Sequence, residues 1–173
     1  MVVSRLASCL ITGCLLADAS PGPASPEAQA RAAIEAAISQ SLAATRNKDI
    51  DAFMGSIPDN WSVVDGDGHR IGKKQLRANT LRDWKIIART IAIEEKIESL
   101  TLDSPTQATV LTSQRWERMM YERDGKTQDH VVTTQRHREI WRKDQAVWKP
   151  YDIQELGGKI WVNGRLYEPR TGH

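Results

Sequence analysis

The stretch HVVTTQRHREIWRK, His130 to Lys143, restricts the fold more than any other part of the chain. Arg136, Arg138 and Arg142 stand at even positions, with Thr133, Gln135, His137, Glu139 and Trp141 at odd ones. A β-strand points successive side chains to opposite faces. As a strand, this segment has one arginine face and one mixed polar and aromatic face. Burying several unpaired guanidinium groups costs more than the roughly 5–15 kcal/mol of net stability that a domain holds. The arginine face is therefore solvated, and the face with His137 and Glu139 turns inward.

Asp124-Gly125 precedes this strand and is a strong hairpin signal. As a two-residue turn it sets Trp116 opposite Thr133, Gln114 opposite Gln135, Thr112 opposite His137 and Val110 opposite Glu139. The outer face then collects Arg115, Glu117, Thr134, Arg136 and Arg138. Beyond the strand, KDQA is a weaker turn signal. If Asp144-Gln145 is a second two-residue turn, Trp141 faces Trp148, Glu139 faces Pro150 and His137 faces Asp152. That register places a carboxylate beside an inward histidine.

The rest of the chain supplies the partners of this sheet. PEAQARAAIEAAISQSLAATRNKD has proline at its first turn and Ile34, Ile38 and Leu42 at helical spacing, which predicts a long amphipathic helix. Asp49 caps a short helix, IDAFMGSI, that ends at Pro58. A strand is expected over Trp61 to Val64, followed by an Asp-Gly-Asp-Gly turn whose later calcium ligands are missing. KKQLRANTLRDWKIIARTI reads as a third helix, with Leu76, Leu81, Trp84 and Ile87 on its apolar side. EKIESLTLD, QATVLTSQRWERMMYE, the opening strand and VWKPYDIQEL are β, and Gly157-Gly158 breaks the pattern before a short hairpin, KIWVNGRLYE. Three helices followed by an antiparallel meander make an α+β domain, the helices on one sheet face.

With 173 residues there is chain for one core. The 24 Lys and Arg against 22 Asp and Glu are too balanced and interspersed to imply nucleic acid or a membrane surface. At the N-terminus Arg5, the apolar run Leu6–Ala17 and Ala17-Asp18-Ala19 have the pattern of an export signal, expected over residues 1–19. The apolar run is too short to span a bilayer. Residues 20–26 read as a linker, 27–156 as the domain and 157–173 as a C-terminal extension. ITGC also resembles a lipoprotein box that would acylate Cys14; cleavage after Ala19 is preferred because that box leaves a very short apolar run. Cys9 and Cys14 both lie in this leader, so a processed domain has no thiol, no disulfide and no thiolate metal site. The four histidines, His69, His130, His137 and His173, lack close ligand spacing. No metal and no cofactor is expected.

The first helix running into AATRNKDIDAFM, the segment WSVVDGDG, the ATV…W strand and the closing pair HREIW and VWKPYDI together resemble the nuclear transport factor 2-like superfamily, in particular its bacterial exported SnoaL-like group. The resemblance covers Pro26 to about Leu156. It implies a curved antiparallel sheet wrapping three helices into a cone (a cystatin-like α+β roll) with a ligand pocket at the open end. It also implies that Trp61 and Trp84 line that cone. The isomerase members need an acidic base with a tyrosine and carboxylic-acid oxyanion pair. Tyr121, Tyr151 and Tyr167 do not supply it here, so that activity does not carry over. Of the histidine-and-tyrosine set of scytalone dehydratase, only the histidine has a counterpart.

Thr112, Gln114, Thr133, Gln135, His137 and Glu139 between Trp116, Trp141 and Trp148 form a face too polar for a dry core, because an unpaired buried polar group costs about 1–3 kcal/mol. An apolar-walled cavity with a few convergent polar groups is the usual small-molecule site. His137 has two readings, a general base oriented by Asp152 or Glu139, or a structural histidine in a strand-to-strand network. Glu139 is an acid or base of raised pKa, or the partner of Lys73 or Lys74. Gln114 and Gln135 bind a ligand or pair with each other. Three functions remain in play. They are an exported domain binding a small, mostly apolar molecule; an isomerase or dehydratase using His137 with Asp152 or Glu139; and an interaction domain, a homodimer through the outer sheet face.

Overall fold

The computed structural model describes residues 24–168. The export segment and Cys14 lie outside the described residues. Helix α1, Pro26–Asn47, is capped by Ser25, whose side chain accepts from the amide of Ala28, and ends at Lys48 in the left-handed conformation. Asp49 caps α2, Ile50–Gly55, by accepting from the amide of Ala52. Strands β1, Ser62–Val64, and β2, Arg70–Gly72, form a small hairpin ahead of α3, Lys73–Ile86. Four long strands follow: β3, Ile87–Ser104; β4, Gln107–Tyr121; β5, Gln128–Asp144; and β6, Val147–Val162, closed by β7, Arg165–Leu166. The sheet order is β2-β1-β6-β5-β4-β3, with β7 also on β6; β1 runs parallel to β6 and every other pairing is antiparallel. The fold is α+β, as the sequence predicts, with the helices packed against a curved, open sheet.

The β4–β5 register is the expected one throughout, including Thr112 opposite His137 and Val110 opposite Glu139. Its turn is longer than two residues: pairing ends at Tyr121 and Gln128, and Asp124 ties the loop by accepting from the amides of Lys126 and Thr127. The added residues lie symmetrically about Asp124-Gly125, so the register is unchanged. On the outer face Arg136 and Glu98 form an exposed ion pair at 2.6 Å. Such a pair contributes under about 1 kcal/mol.

Three expectations need correction. The third helix stops at Ile86, and Ile87 to Ile91 open β3 instead of extending the helix. The run of isoleucines with Thr90 favours extended backbone, because β-branched side chains lose rotamer freedom in a helix. The second hairpin turns at Gln145-Ala146, both at positive φ (46° and 71°), one residue later than Asp144-Gln145. Gly157 and Gly158 lie inside β6, opposite Arg136 and Gln135 and just after a bulge at Leu156, and the strand continues to pair with β5 as far as Val131 opposite Val162. Gly157 has a φ of 114°, and a Cβ on Gly158 would lie 2.1 Å from the carbonyl oxygen of Thr134.

The core has two clusters. Ala30, Ile34 and Ile38 of α1 pack on Leu100, Ala108, Val110, Trp141 and Trp148. Met54, Ile57 and Trp61 form the second, joined by Phe53, Leu76 and Ile153.

Gly158→Ala is expected to destabilise the domain by about 2 kcal/mol or more, since backbone must shift to admit the methyl group. Urea denaturation of both proteins checks this; an unchanged midpoint would place this part of β6 outside the cooperative fold.

Candidate functional site

Between the two core clusters lies a cavity of about 550 Å³. Its apolar walls are Ile38 of α1, Phe53 of α2, Ile57, Trp61 and, from the β5–β6 hairpin, Trp141, Trp148 and Pro150. The exposed residues Gln40, Ala52, Gly55 and Val147 stand where it opens to solvent. The polar floor comes from three adjacent strands: Glu95 of β3, Gln114 of β4, and His137 and Glu139 of β5.

Glu139 is the centre of that floor. Its side chain is 4 % exposed. The hydroxyl of Thr112, itself fully buried, donates to Oε1 at 2.8 Å, and the indole N–H of Trp141 donates to Oε2 at 2.6 Å. Burial, reinforced by the nearby charge of Glu95, pushes the Glu139 carboxyl up from 4.5 to about 7, against the two donors that lower it. Gln114 Nε2 donates to Glu95 Oε2 at 3.0 Å and holds that carboxylate against the floor. His137 Nδ1 is 3.9 Å from Glu139 Oε1, too long for a hydrogen bond. Burial lowers the His137 pKa from 6.5, while the charge of Glu95 works in the opposite direction. The floor thus holds a neutral imidazole and a carboxyl poised near neutrality.

The other residues expected from sequence divide clearly. Trp61, Gln114, His137, Glu139 and Trp141 border the cavity. Trp84 and Trp116 border a smaller neighbouring space of about 200 Å³ that shares Glu95 and Gln114 with it. Thr112 lies behind Glu139 as its donor. Thr133 accepts from Arg118 at 3.0 Å, and Gln135 reaches Glu155 at 3.4 Å, so neither borders the cavity. Asp152 is a correction. The later turn and a bulge at Tyr151 set His137 opposite Glu155, three residues beyond the expected partner. An odd shift moves a side chain to the other face. Asp152 accordingly accepts from Ser62 at 3.0 Å and pairs with Arg70 and Arg142 on the outer side. Glu139 does not meet Lys73, which donates to the Ile57 carbonyl and pairs with Asp59.

Glu95 is the floor residue that the sequence did not point to, whereas Trp148 borders the cavity as part of the expected aromatic surround. Glu95 carries a usable signal: it alternates with Ile93 and Ile97 in period two, a carboxylate on an apolar face. Among the described residues no group of three His, Cys, Asp or Glu is arranged to hold a metal ion, and no helix is long and apolar enough to cross a membrane.

A raised carboxyl pKa favours folding most where the group is protonated in both states. That contribution is complete below about pH 4.5 and is lost as pH rises through 7. Stability should therefore fall on the order of 3 kcal/mol from this group between pH 4.5 and 8. Glu139→Gln, which mimics the protonated form, is expected to remove that fall. Denaturation at pH 5 and pH 8 decides it, and parallel profiles for the two proteins would mean Glu139 titrates in the ordinary carboxyl range.

No protein-family model matches the sequence, and no curated protein matches it. Solved structures do. The scytalone dehydratase-like protein of Novosphingobium aromaticivorans is 10% identical at a TM-score of 0.68, with 86% of this chain and 97% of that one covered. A type 2 hexachlorocyclohexane dehydrochlorinase is 14% identical at 0.62, covering 84% and 97%. A nuclear transport factor 2-like protein of Cytophaga hutchinsonii is 16% identical at 0.58, covering 72% and 95%. With the element order and sheet described above, these likenesses show that the chain has the nuclear transport factor 2-like fold.

Proposed function

We propose that this chain is a small-molecule-binding domain whose mostly apolar ligand occupies the cavity between α1, α2 and the sheet. The observation that carries the reading is the cavity's composition: aromatic and aliphatic walls around one compact polar floor of Glu95, Gln114, His137 and Glu139. Burying so many polar groups beside an apolar space is costly to stability, and a ligand that pairs with them offsets that cost. Trp141 and Trp148 in the wall report on occupancy. A panel of apolar molecules is expected to give a saturable change in tryptophan fluorescence, and Ser41→Trp, which fills the cavity, is expected to abolish it. A flat response across the panel, or one that survives in Ser41→Trp, rejects the reading.

A second reading is favoured by one observation, the Glu139 carboxyl raised to about 7 beside a neutral His137. A general base works best with a pKa near the operating pH. Structures of this fold include proteins named for a dehydratase and a dehydrochlorinase. In this reading the domain is an isomerase- or dehydratase-type enzyme, and Glu139 or His137 takes a proton from the bound molecule. His137→Ala and Glu139→Gln should then each lower turnover by about 100-fold or more while the ligand still binds. Unchanged turnover in both would leave binding as the whole function. The same proposal takes residues 1–19 as an export signal; N-terminal sequencing of the processed protein should begin at Ser20.

A further inference from the structure

The cavity floor carries acid without a cation to match it. Glu95 and Glu139 line the same floor, and the charge of Glu95 bears on the Glu139 carboxyl. Among the described residues neither has a lysine or arginine within ion-pair distance, and Glu139 meets only the neutral His137. Among the described residues Lys149 is the one basic side chain of the lining besides His137, and Asp144 holds it at 3.0 Å on the β5–β6 hairpin. A partly enclosed space with this charge repels an anion, and its low-dielectric walls strengthen the effect.

The same space favours a cation in two further ways. Trp61, Trp141 and Trp148 line it, and the faces of indole rings attract an ammonium group. Its floor is also rich in acceptors: Glu95, Glu139, which retains lone pairs beyond those used by Thr112 and Trp141, and the unprotonated ring nitrogen of His137. A primary ammonium carries three donors. Independently, the buried indole N–H of Trp61, also in the lining, has no partner among the described residues, which marks the wall as a place where a polar group goes unpaired.

Resting on the reading of this cavity as a ligand site, we propose that its ligand is an apolar primary amine, bound protonated. The ammonium sits between Glu95 and Glu139 and the apolar body lies against the tryptophans. Gln114 fixes Glu95 for this contact.

The test compares arylalkyl primary amines of increasing length with the alcohol and the carboxylate of each skeleton, by calorimetry at pH 7 and low salt. The best-fitting amine is expected to bind about tenfold or more tighter than its alcohol, with the carboxylate weakest. Glu95→Gln and, separately, Glu139→Gln are expected to bring the amine-to-alcohol ratio close to one; either variant suffices if the other fails to fold. Alcohols or carboxylates that match the amines overturn the proposal and leave the cavity reading intact. An amine preference that survives in a folded Glu95→Gln or Glu139→Gln also overturns it, because the amine is then held elsewhere. Absence of saturable binding by all three classes rejects the cavity reading and this proposal together.

Discussion

The β4–β5 hairpin cannot bury its arginine face, and that constraint organises the rest of the molecule. With Arg115, Arg136 and Arg138 exposed to water, Val110, Thr112, Gln114, His137, Glu139 and Trp141 must face the helices. Of these, Val110 and Trp141 are apolar and pack with α1 in a conventional core. The other four are polar, and His137, Glu139 and Gln114 face a cavity instead of a helix. There the two core clusters separate, and a cavity opens between them. One alternating strand thus decides both where the domain is solid and where it is hollow.

Glu139 is the costliest residue in that arrangement. A carboxylate moved into a buried site without a cation loses several kcal/mol of solvation. Two donors, Thr112 and Trp141, recover part of this, and the raised pKa shows that part is not recovered. Thr112 is itself fully buried, so its hydroxyl depends on Glu139 as its acceptor. Replacing both with apolar residues of similar volume would relieve both costs, as is commonly found for buried polar pairs. A chain selected for stability alone has no physical reason to keep them. Retaining an acid of pKa near 7 at the floor of a cavity makes sense where that acid meets a ligand or a proton.

How much of this could be read from sequence depended on parity. Asp124-Gly125 marks the centre of its turn, so the β4–β5 register survived even though the loop is longer than two residues. Polar residues that share a face in that hairpin were legible together for this reason. The β5–β6 hairpin has no such marker. Its turn residues, Gln145 and Ala146, adopt positive φ without being glycine or asparagine, and the bulge at Tyr151 leaves no trace in the pattern. A three-residue displacement followed, and Asp152 went to the wrong face. Glu95 was missed for a related reason. Reading residues 73–91 as one helix cut β3 short at its start, so its neighbour across the sheet, Gln114, was considered only against β5.

Bulges also explain why this site needs long strands. Register shifts interrupt β3 against β4 and β6 against β5, whereas β4 and β5 pair without interruption. A bulge bends and twists its strand locally. Placed on both flanks of a regular central hairpin, bulges curve the sheet around α1 while the central register stays rigid. The four floor residues lie on that hairpin and on β3 within an uninterrupted stretch beside it, Ala92 to Ile97. Side chains that must meet within hydrogen-bond distance, such as Thr112 with Glu139 or Gln114 with Glu95, are therefore carried by the least deformable part of the sheet. The walls, by contrast, come from α1, α2, the segment before β1 and the far end of the β5–β6 hairpin, largely outside that regular stretch. The walls set the shape of the cavity and the floor its polarity, so the two can vary separately on one sheet.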